Sequence, residues 1–381
     1  MNFSNRNILL VANWESDVGY AWWLMENFWL TISAHFQHVN IECYLIYPKI
    51  TKIPQSIQRS NIDVYQHDFR DHSINNLKKL TEFITINNIK YIYLTDSPSY
   101  SWIYLILRFY GIRSIVIHDH TPGERTRAKS WKKLAKSIIQ RIPLITADHF
   151  LAVTDFVYNR LIDVSCIPQN KCSVVPNGIQ PIDLASADLF YAQKCFSIPD
   201  ERIIVVSTGR ATYYKGIDFF IHCADELINK RQYNNLHFLF CGDGPDIGEF
   251  KCLVAQLNLE NNFTFTGKRT DVRKILPSCH IGFHASKGEV GYSLSILEYM
   301  SAGLATIVPD NPSTSEATIH NKTGLLYKSN CLRDAIDMII CCLPLNTRKT
   351  LSSLAVQAIS EQYNIKLTNR TLITVLKDIF I

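Results

Sequence analysis

The chain has no apolar run approaching the eighteen or so residues of a membrane-spanning helix, so nothing in it reads as a membrane span. Its eleven cysteines include no Cys-x-x-Cys pair, and the only tight cluster is Cys341-Cys342 in an apolar run, so they read as buried thiols in a reducing compartment. There is no Asp-x-Asp and no set of residues with metal-ligand spacing, so no catalytic metal is implied. No G-x-G-x-x-G follows the first strand, which argues against a nicotinamide dehydrogenase. Short repeats and low-complexity segments are missing too, which excludes a solenoid. The opening "MNFSNRNILLVANW" carries one arginine and five consecutive apolar residues, too few for a secretory leader and suited to a first strand. A cytoplasmic protein is expected.

What is present is globular: 381 residues, 47% hydrophobic and 19% charged, enough for two domains with a core each. The net charge of +5 is modest and partly local, and nothing calls for a nucleic-acid partner. In "RTRAKSWKKLAKSIIQR", residues 125–141, seven basic residues (Arg125, Arg127, Lys129, Lys132, Lys133, Lys136, Arg141) face no acid. Trp131, Leu134, Ile138 and Ile139 recur at helical spacing. Two readings stand level: an amphipathic helix on anionic headgroups, or the solvated face of an ordinary domain helix.

Apolar β-branched and aromatic runs alternate with helical patterns, which predicts βαβ units and parallel sheets, an α/β protein. Strands are expected at Ile8–Ala12, Glu42–Tyr47, Tyr91–Leu94, Ser114–Ile117, Phe150–Val153 and Ser173–Val175, with helices between them such as Ala21–Phe36 and Lys129–Ile139. After "PNGIQPIDL" the pattern restarts, with strands at Ile203–Ser207, His237–Cys241, Phe263–Thr266, Ile281–His284, Thr306–Val308 and Gly324–Tyr327. The expected division is 1–180, 181–360 and a C-terminal helical piece 361–381 packing back on the first domain. In such sheets ligands sit beyond the carboxyl ends of the strands; if the two sheets face each other, their sites share a cleft.

Three stretches of the second half carry chemistry. After the strand "RIIVVSTG", the loop "RATYYKG" places Arg210 and Lys215 at the entry to a helix, an anion site suited to a diphosphate. The strand "FLFC" ends at Gly242, where a glycine allows close backbone approach. In "KGEVGYSLSILEYMSAGLATIV" a loop leads into a helix whose first amides belong to Gly291, Tyr292, Ser293 and Leu294. Glu298, one to two turns in, can accept both hydroxyls of a ribose; Glu289, in the loop, can accept those of a sugar; Gly303 ends the helix. Each stretch alone also fits an ordinary loop, turn or buried glutamate.

In this order and spacing they resemble the retaining glycosyltransferases of family 4, or glycosyl transferases group 1. The resemblance runs from "STGRATYYKGIDFF" through "CGDGPDIGEF" and "KGEVGYSLSILEYMSAGLATIV" to "NKTGLLY". It implies a GT-B fold, two doubly wound Rossmann-like domains facing each other across a cleft. It implies that Arg210 and Lys215 hold the donor diphosphate, Glu298 its ribose, and the loop before the helix its sugar. No cofactor is implied beyond the donor substrate, a UDP- or GDP-linked sugar.

One departure matters. The family separates its two glutamates by seven residues, this chain by eight, so an ungapped alignment from Glu298 puts Val290 at the first position, and Ser293 stands where a glycine is usual. Either Glu289 has taken the role or the sugar contact is absent; a loop absorbs one residue where a helix cannot, which favours Glu289. In the first half Gly19 matches the family's glycine-rich turn as a single glycine, and His118, in "IVIHDHTPGERTR" with His120, matches a histidine near the sugar and acceptor.

The expected function is a retaining, metal-independent transfer of a sugar to a glycan or lipid-linked acceptor in surface polysaccharide biosynthesis. The rivals are a nucleotide-sugar epimerase and a decayed, nucleotide-sugar-binding partner subunit.

Overall fold

A computed structural model describes residues 6–17 and 22–380; Gly19 lies outside the described residues. Among the described residues, two all-parallel sheets are built from thirteen strands. The first contains β1 (Asn7–Val11), β2 (Cys43–Tyr47), β3 (Asp63–Gln66), β4 (Ile89–Thr95), β5 (Ser114–Asp119), β6 (His149–Ala152) and β7 (Cys172–Val174), in the order β3-β2-β1-β4-β5-β6-β7. The second contains β8 (Ile203–Thr208), β9 (Leu236–Cys241), β10 (Phe263–Phe265), β11 (Ile281–Phe283), β12 (Ala305–Asp310) and β13 (Leu325–Lys328), in the order β10-β9-β8-β11-β12-β13.

Central strands such as "NILLV" and "IKYIYLT" are buried almost throughout, as strands covered by helices on both faces must be. In each sheet the order reverses at one place, between β1 and β4 and between β8 and β11. Those are the switch points where open parallel sheets leave a crevice at the strands' carboxyl ends. The expected first helix runs over Trp23–Gln37 among the described residues.

The chain divides into two compact units. The first runs to Thr121, resumes over Arg125–Pro176 and takes in the end of the chain from Thr368; the second comprises Pro122–Glu124 and Asn177–Leu367. In the first, the last helix (Ile365–Phe380) is fastened by Thr368, which donates to the Pro176 carbonyl at 2.7 Å, and by Phe380, which stacks on Tyr91 with ring centroids 4.8 Å apart. The second has a core of rings that joins a helix to the sheet: Phe220, on the helix Ile217–Asp225, lies 5.6 Å from Phe283 of β11, which lies 5.4 Å from Tyr327 of β13, both pairs stacked.

The cysteines among the described residues are free thiols. The expectation of burial fails for Cys195, Cys252 and Cys341, which are exposed.

Candidate functional site

In the second unit, chemistry gathers at the carboxyl ends of β8 and β11. β8 runs into Gly209, and exposed Arg210 follows with no ion-pair partner among the described residues. A single 3-10 turn, Tyr213–Lys215, then delivers Lys215, and Gly216 (φ 70°) turns the chain into the helix Ile217–Asp225. A Cβ on Gly216 would lie 2.2 Å from the Ala285 carbonyl oxygen, so only glycine lets this turn pass beside the end of β11.

The end of β11 supplies the partner. His284 and Glu289 are both buried, and the Lys215 ammonium is hydrogen-bonded and ion-paired with Glu289 Oε1. His284 Nε2 lies 3.3 Å from the same oxygen, off the line of a hydrogen bond. Burial pushes the Glu289 carboxyl up, but the charge of Lys215 and contact with His284 outweigh it and hold the group down at about 2. Glu289 is therefore a fixed anion at neutral pH. The structure brings Glu289 itself against Lys215.

The helix Leu294–Ser301 follows, capped by Ser293, whose hydroxyl accepts from the Ile296 amide at 3.3 Å. Serine at the family's glycine position is thus a helix cap. The expected set of amides needs correction. Gly291 (φ 107°) donates its N–H to the Ser313 carbonyl at 2.8 Å and is already satisfied within the protein. Tyr292 is buried, its hydroxyl donating to the Asn177 carbonyl at 2.9 Å, which makes the side chain a packing element. The amides of Ser293, Leu294 and Ser295 have no hydrogen-bond partner among the described residues, so the donor set sits later than the glycine motif suggests. Glu298 is 3% exposed on the second turn of this helix.

Gly242 has a reason within the protein's own packing. A Cβ there would lie 1.8 Å from the Gly209 carbonyl oxygen, and one on Gly244 would lie 2.5 Å from that of Ala211. The Ala211 amide donates to the Asp243 carbonyl at 3.0 Å. The glycine serves the protein's own backbone, seating the β9 turn against the loop that carries Arg210.

In the first unit, the switch point between β1 and β4 carries a second polar cluster that motif reading missed apart from its histidines. His118 is a strand residue at 0% exposure, its Nδ1 2.5 Å from the Tyr93 hydroxyl and its Nε2 without a hydrogen-bond partner among the described residues. Burial and then the neighbouring His120 drive its pKa well down, so it is neutral. The His120 ring lies 4.2 Å from that of His118, and burial takes its pKa to about 4. Asp96, following β4 with φ 49°, accepts the His120 amide at 2.5 Å and the Asn13 amide at 3.4 Å. Burial, and next the charge of Asp119, raises the Asp96 carboxyl to about 7. Asp119 is paired with buried Arg160 at 3.3 Å. Asn13, Asp96 and Arg160 sit on separate elements joined only by sheet order, so no local spacing announces them. His284 was visible in "IGFHAS", but nothing in the sequence ties it to Glu289.

Two family models match the chain: Glycosyl transferases group 1 over residues 193–349 and Glycosyltransferase Family 4 over residues 25–181. Among solved structures, a glycosyltransferase from Rickettsia africae ESF-5 superposes with a TM-score of 0.80 at 18% identity, covering 99% of each chain. Anabaena Alr3699/HepE in complex with UDP-glucose superposes with a TM-score of 0.76 at 15% identity, over 98% of this chain and 99% of that one. The N,N'-diacetylbacillosaminyl-diphospho-undecaprenol alpha-1,3-N-acetylgalactosaminyltransferase of Campylobacter jejuni is 28% identical over 37% of this chain and 35% of its own length. The chain spans about two fifths of the length of the curated relatives it matches, 38% and 43% in two others. On these models and this two-sheet architecture, the chain belongs to the glycosyl transferases group 1 family and has the α/β GT-B fold.

Proposed function

We propose that the chain transfers a sugar, with retention and without a metal, from a nucleotide-diphosphate sugar to a hydroxyl of a glycan or lipid-linked acceptor used in surface polysaccharide synthesis. The observation that carries this is the convergence of Arg210, the Lys215–Glu289 pair and the open amides of Ser293–Ser295 at the carboxyl ends of β8 and β11.

The chemistry follows from the leaving group. As the glycosidic bond breaks, negative charge grows on the diphosphate, and pre-positioned cations and amides lower the barrier by stabilising it. Arg210 and Lys215 carry that charge and Glu298 takes the ribose hydroxyls. Glu289, kept ionised by Lys215, accepts hydroxyls of the donor sugar. The acceptor hydroxyl attacks the face the diphosphate leaves and passes its proton to the departing phosphate oxygen. His118, neutral and buried, is read as a positioning residue and not as an obligatory base.

The Anabaena neighbour's complex with UDP-glucose makes UDP-sugars the first donors to test, with GDP-sugars second. The Campylobacter relative's name supports a lipid-linked acceptor. No helix among the described residues is long and apolar enough to cross a membrane; the proposed placement is peripheral, on the cytoplasmic face, through residues 125–141.

The test is Lys215→Ala. Transfer from a UDP-sugar should fall by about a hundredfold or more, the scale of removing one charge-stabilising group, while the circular dichroism spectrum is unchanged. Undiminished turnover in this variant would refute the diphosphate assignment.

A further inference from the structure

The basic stretch forms a helix, Ser130–Ile139, in which no residue is buried. Ten residues make a marginal helix in water without a packed face, and here the apolar side chains point outward: Trp131 is 72% exposed, Leu134 64% and Ile138 57%. These lie at i, i+3 and i+7, one face of a helix. The helix Trp102–Phe109 repeats the arrangement, with Trp102, Leu105 and Phe109 at the same spacing and Phe109 87% exposed. Its other face, Ile103, Tyr104 and Leu107, is buried in the unit.

The two segments are stitched side by side. Tyr100 and Thr146 form an antiparallel bridge, the Ser101 amide donates to the Ile145 carbonyl at 2.8 Å, and Gln140 Nε2 donates to Ser99 Oγ at 2.6 Å. Ile142 and Leu144, also exposed, lie on the strip between them. Neither segment contains an acid: there is none from 97 to 118 and none from 125 to 147. Lys129, Lys132, Lys133 and Arg141 are exposed around the apolar side chains, and so is Arg113 beyond the first helix.

We propose that Tyr100–Tyr110 and Lys129–Leu144 form one two-segment docking face for an anionic lipid bilayer, with Trp102, Phe109, Trp131 and Leu134 entering the interface and the lysines and Arg141 meeting the headgroups. The inference rests on the peripheral placement above and extends it to a helix that carries no basic signature and that the charge pattern leaves out. Large exposed apolar patches mark interaction surfaces. Two segments that carry basic residues and no acid of their own favour an anionic occupant, although Asp148 and Asp163 from outside them pair with Arg108 and Arg127, and exposed tryptophans beside lysines match the interfacial layer of a bilayer.

The experiment is co-sedimentation of the full chain with phosphatidylcholine vesicles, with and without phosphatidylglycerol, in the absence of any donor. Binding only to the phosphatidylglycerol vesicles, falling roughly tenfold or more in Trp102→Ser/Phe109→Ser and likewise in Trp131→Ser/Leu134→Ser, supports the two-segment face. Unchanged melting temperatures would show that the variants are folded. Full binding by the Trp102/Phe109 variant overturns the proposal and leaves the basic helix alone. No sedimentation of the parent chain overturns it outright, as does a lipid-free dimer that Trp102→Ser/Phe109→Ser converts to a monomer. Transfer assayed with a soluble acceptor tests the catalytic reading separately, so either can fail alone.

Discussion

Glu289 and Asp96 are carboxyls displaced in opposite directions, and each displacement is a stability statement. Glu289 titrates at about 2 in the folded protein, below its ordinary value of 4.5. Its contribution is therefore fully present above about 4.5 and is lost as the pH falls from there toward about 2. Glu289→Gln should lower stability by roughly 2–3 kcal/mol at neutral pH, and the gap to the parent chain should close in acid; urea midpoints at several pH values read this directly. Asp96 is raised to about 7 from an ordinary 3.8, so the folded state favours its protonated form. That stability is complete in acid and is lost as the pH rises through about 7. Asp96→Asn should melt with the parent near pH about 4 and above it, by roughly 1 kcal/mol or more, near pH about 8. Parallel curves for either pair would contradict the assignment.

At the scale of elements, two glycines near the candidate site have different reasons. Gly303 ends the helix Leu294–Ser301 with φ 73°, its amide donating to the Met300 carbonyl at 3.2 Å and the Leu304 amide to that of Tyr299 at 3.1 Å, a Schellman closure. An alanine there meets nothing nearer than Leu184 at 3.4 Å, so Gly303→Ala should cost the left-handed penalty of about 1–2 kcal/mol and leave UDP binding unchanged. Gly242→Ala drives a Cβ into the Gly209 carbonyl, so it should cost about 3 kcal/mol or more and weaken UDP binding by displacing the Arg210 loop. Thermal shift with and without UDP separates them; equal losses of binding would show that the β9 turn does not set the Arg210 loop.

The same distinction explains what was legible beforehand. Twelve of the thirteen strands among the described residues announce themselves as apolar or β-branched runs, most clearly the central ones, which are buried almost throughout, whereas β3, "DVYQ", is a largely exposed edge and carries no such signal. Arg210, Lys215, Glu289 and Glu298 lie in contiguous strand-loop-helix stretches. That Gly291 spends its amide on Ser313, and that Asp96 meets Asn13 and His120, depends on which strands become neighbours, which local sequence does not state.

For the whole molecule, the compact units are not consecutive in sequence, and the first is completed by residues that come after the entire second unit. From Thr368 onward the last helix gives the first unit Leu372, Leu376 and Phe380, each 2% exposed or less, together with the paired side-chain amides of Asn27 and Asn369 at 2.7 Å. Burying three such side chains is worth about 5 kcal/mol or more, a large part of the 5–15 kcal/mol by which a domain is ordinarily stable. The second unit, with its own aromatic core and the anion-binding loop, loses no core residue if the chain stops at Leu367. A chain ending there should therefore melt in two steps. The lower should be a destabilised first unit, detected as exposure of Trp29, which is fully buried in the intact protein. The upper should remain near its parent temperature and rise with added UDP, because a ligand that binds only the folded second unit stabilises only that transition. A single cooperative transition that UDP moves as a whole would mean that the second unit depends on the first for its fold, and the helix would then be holding together one cooperative body.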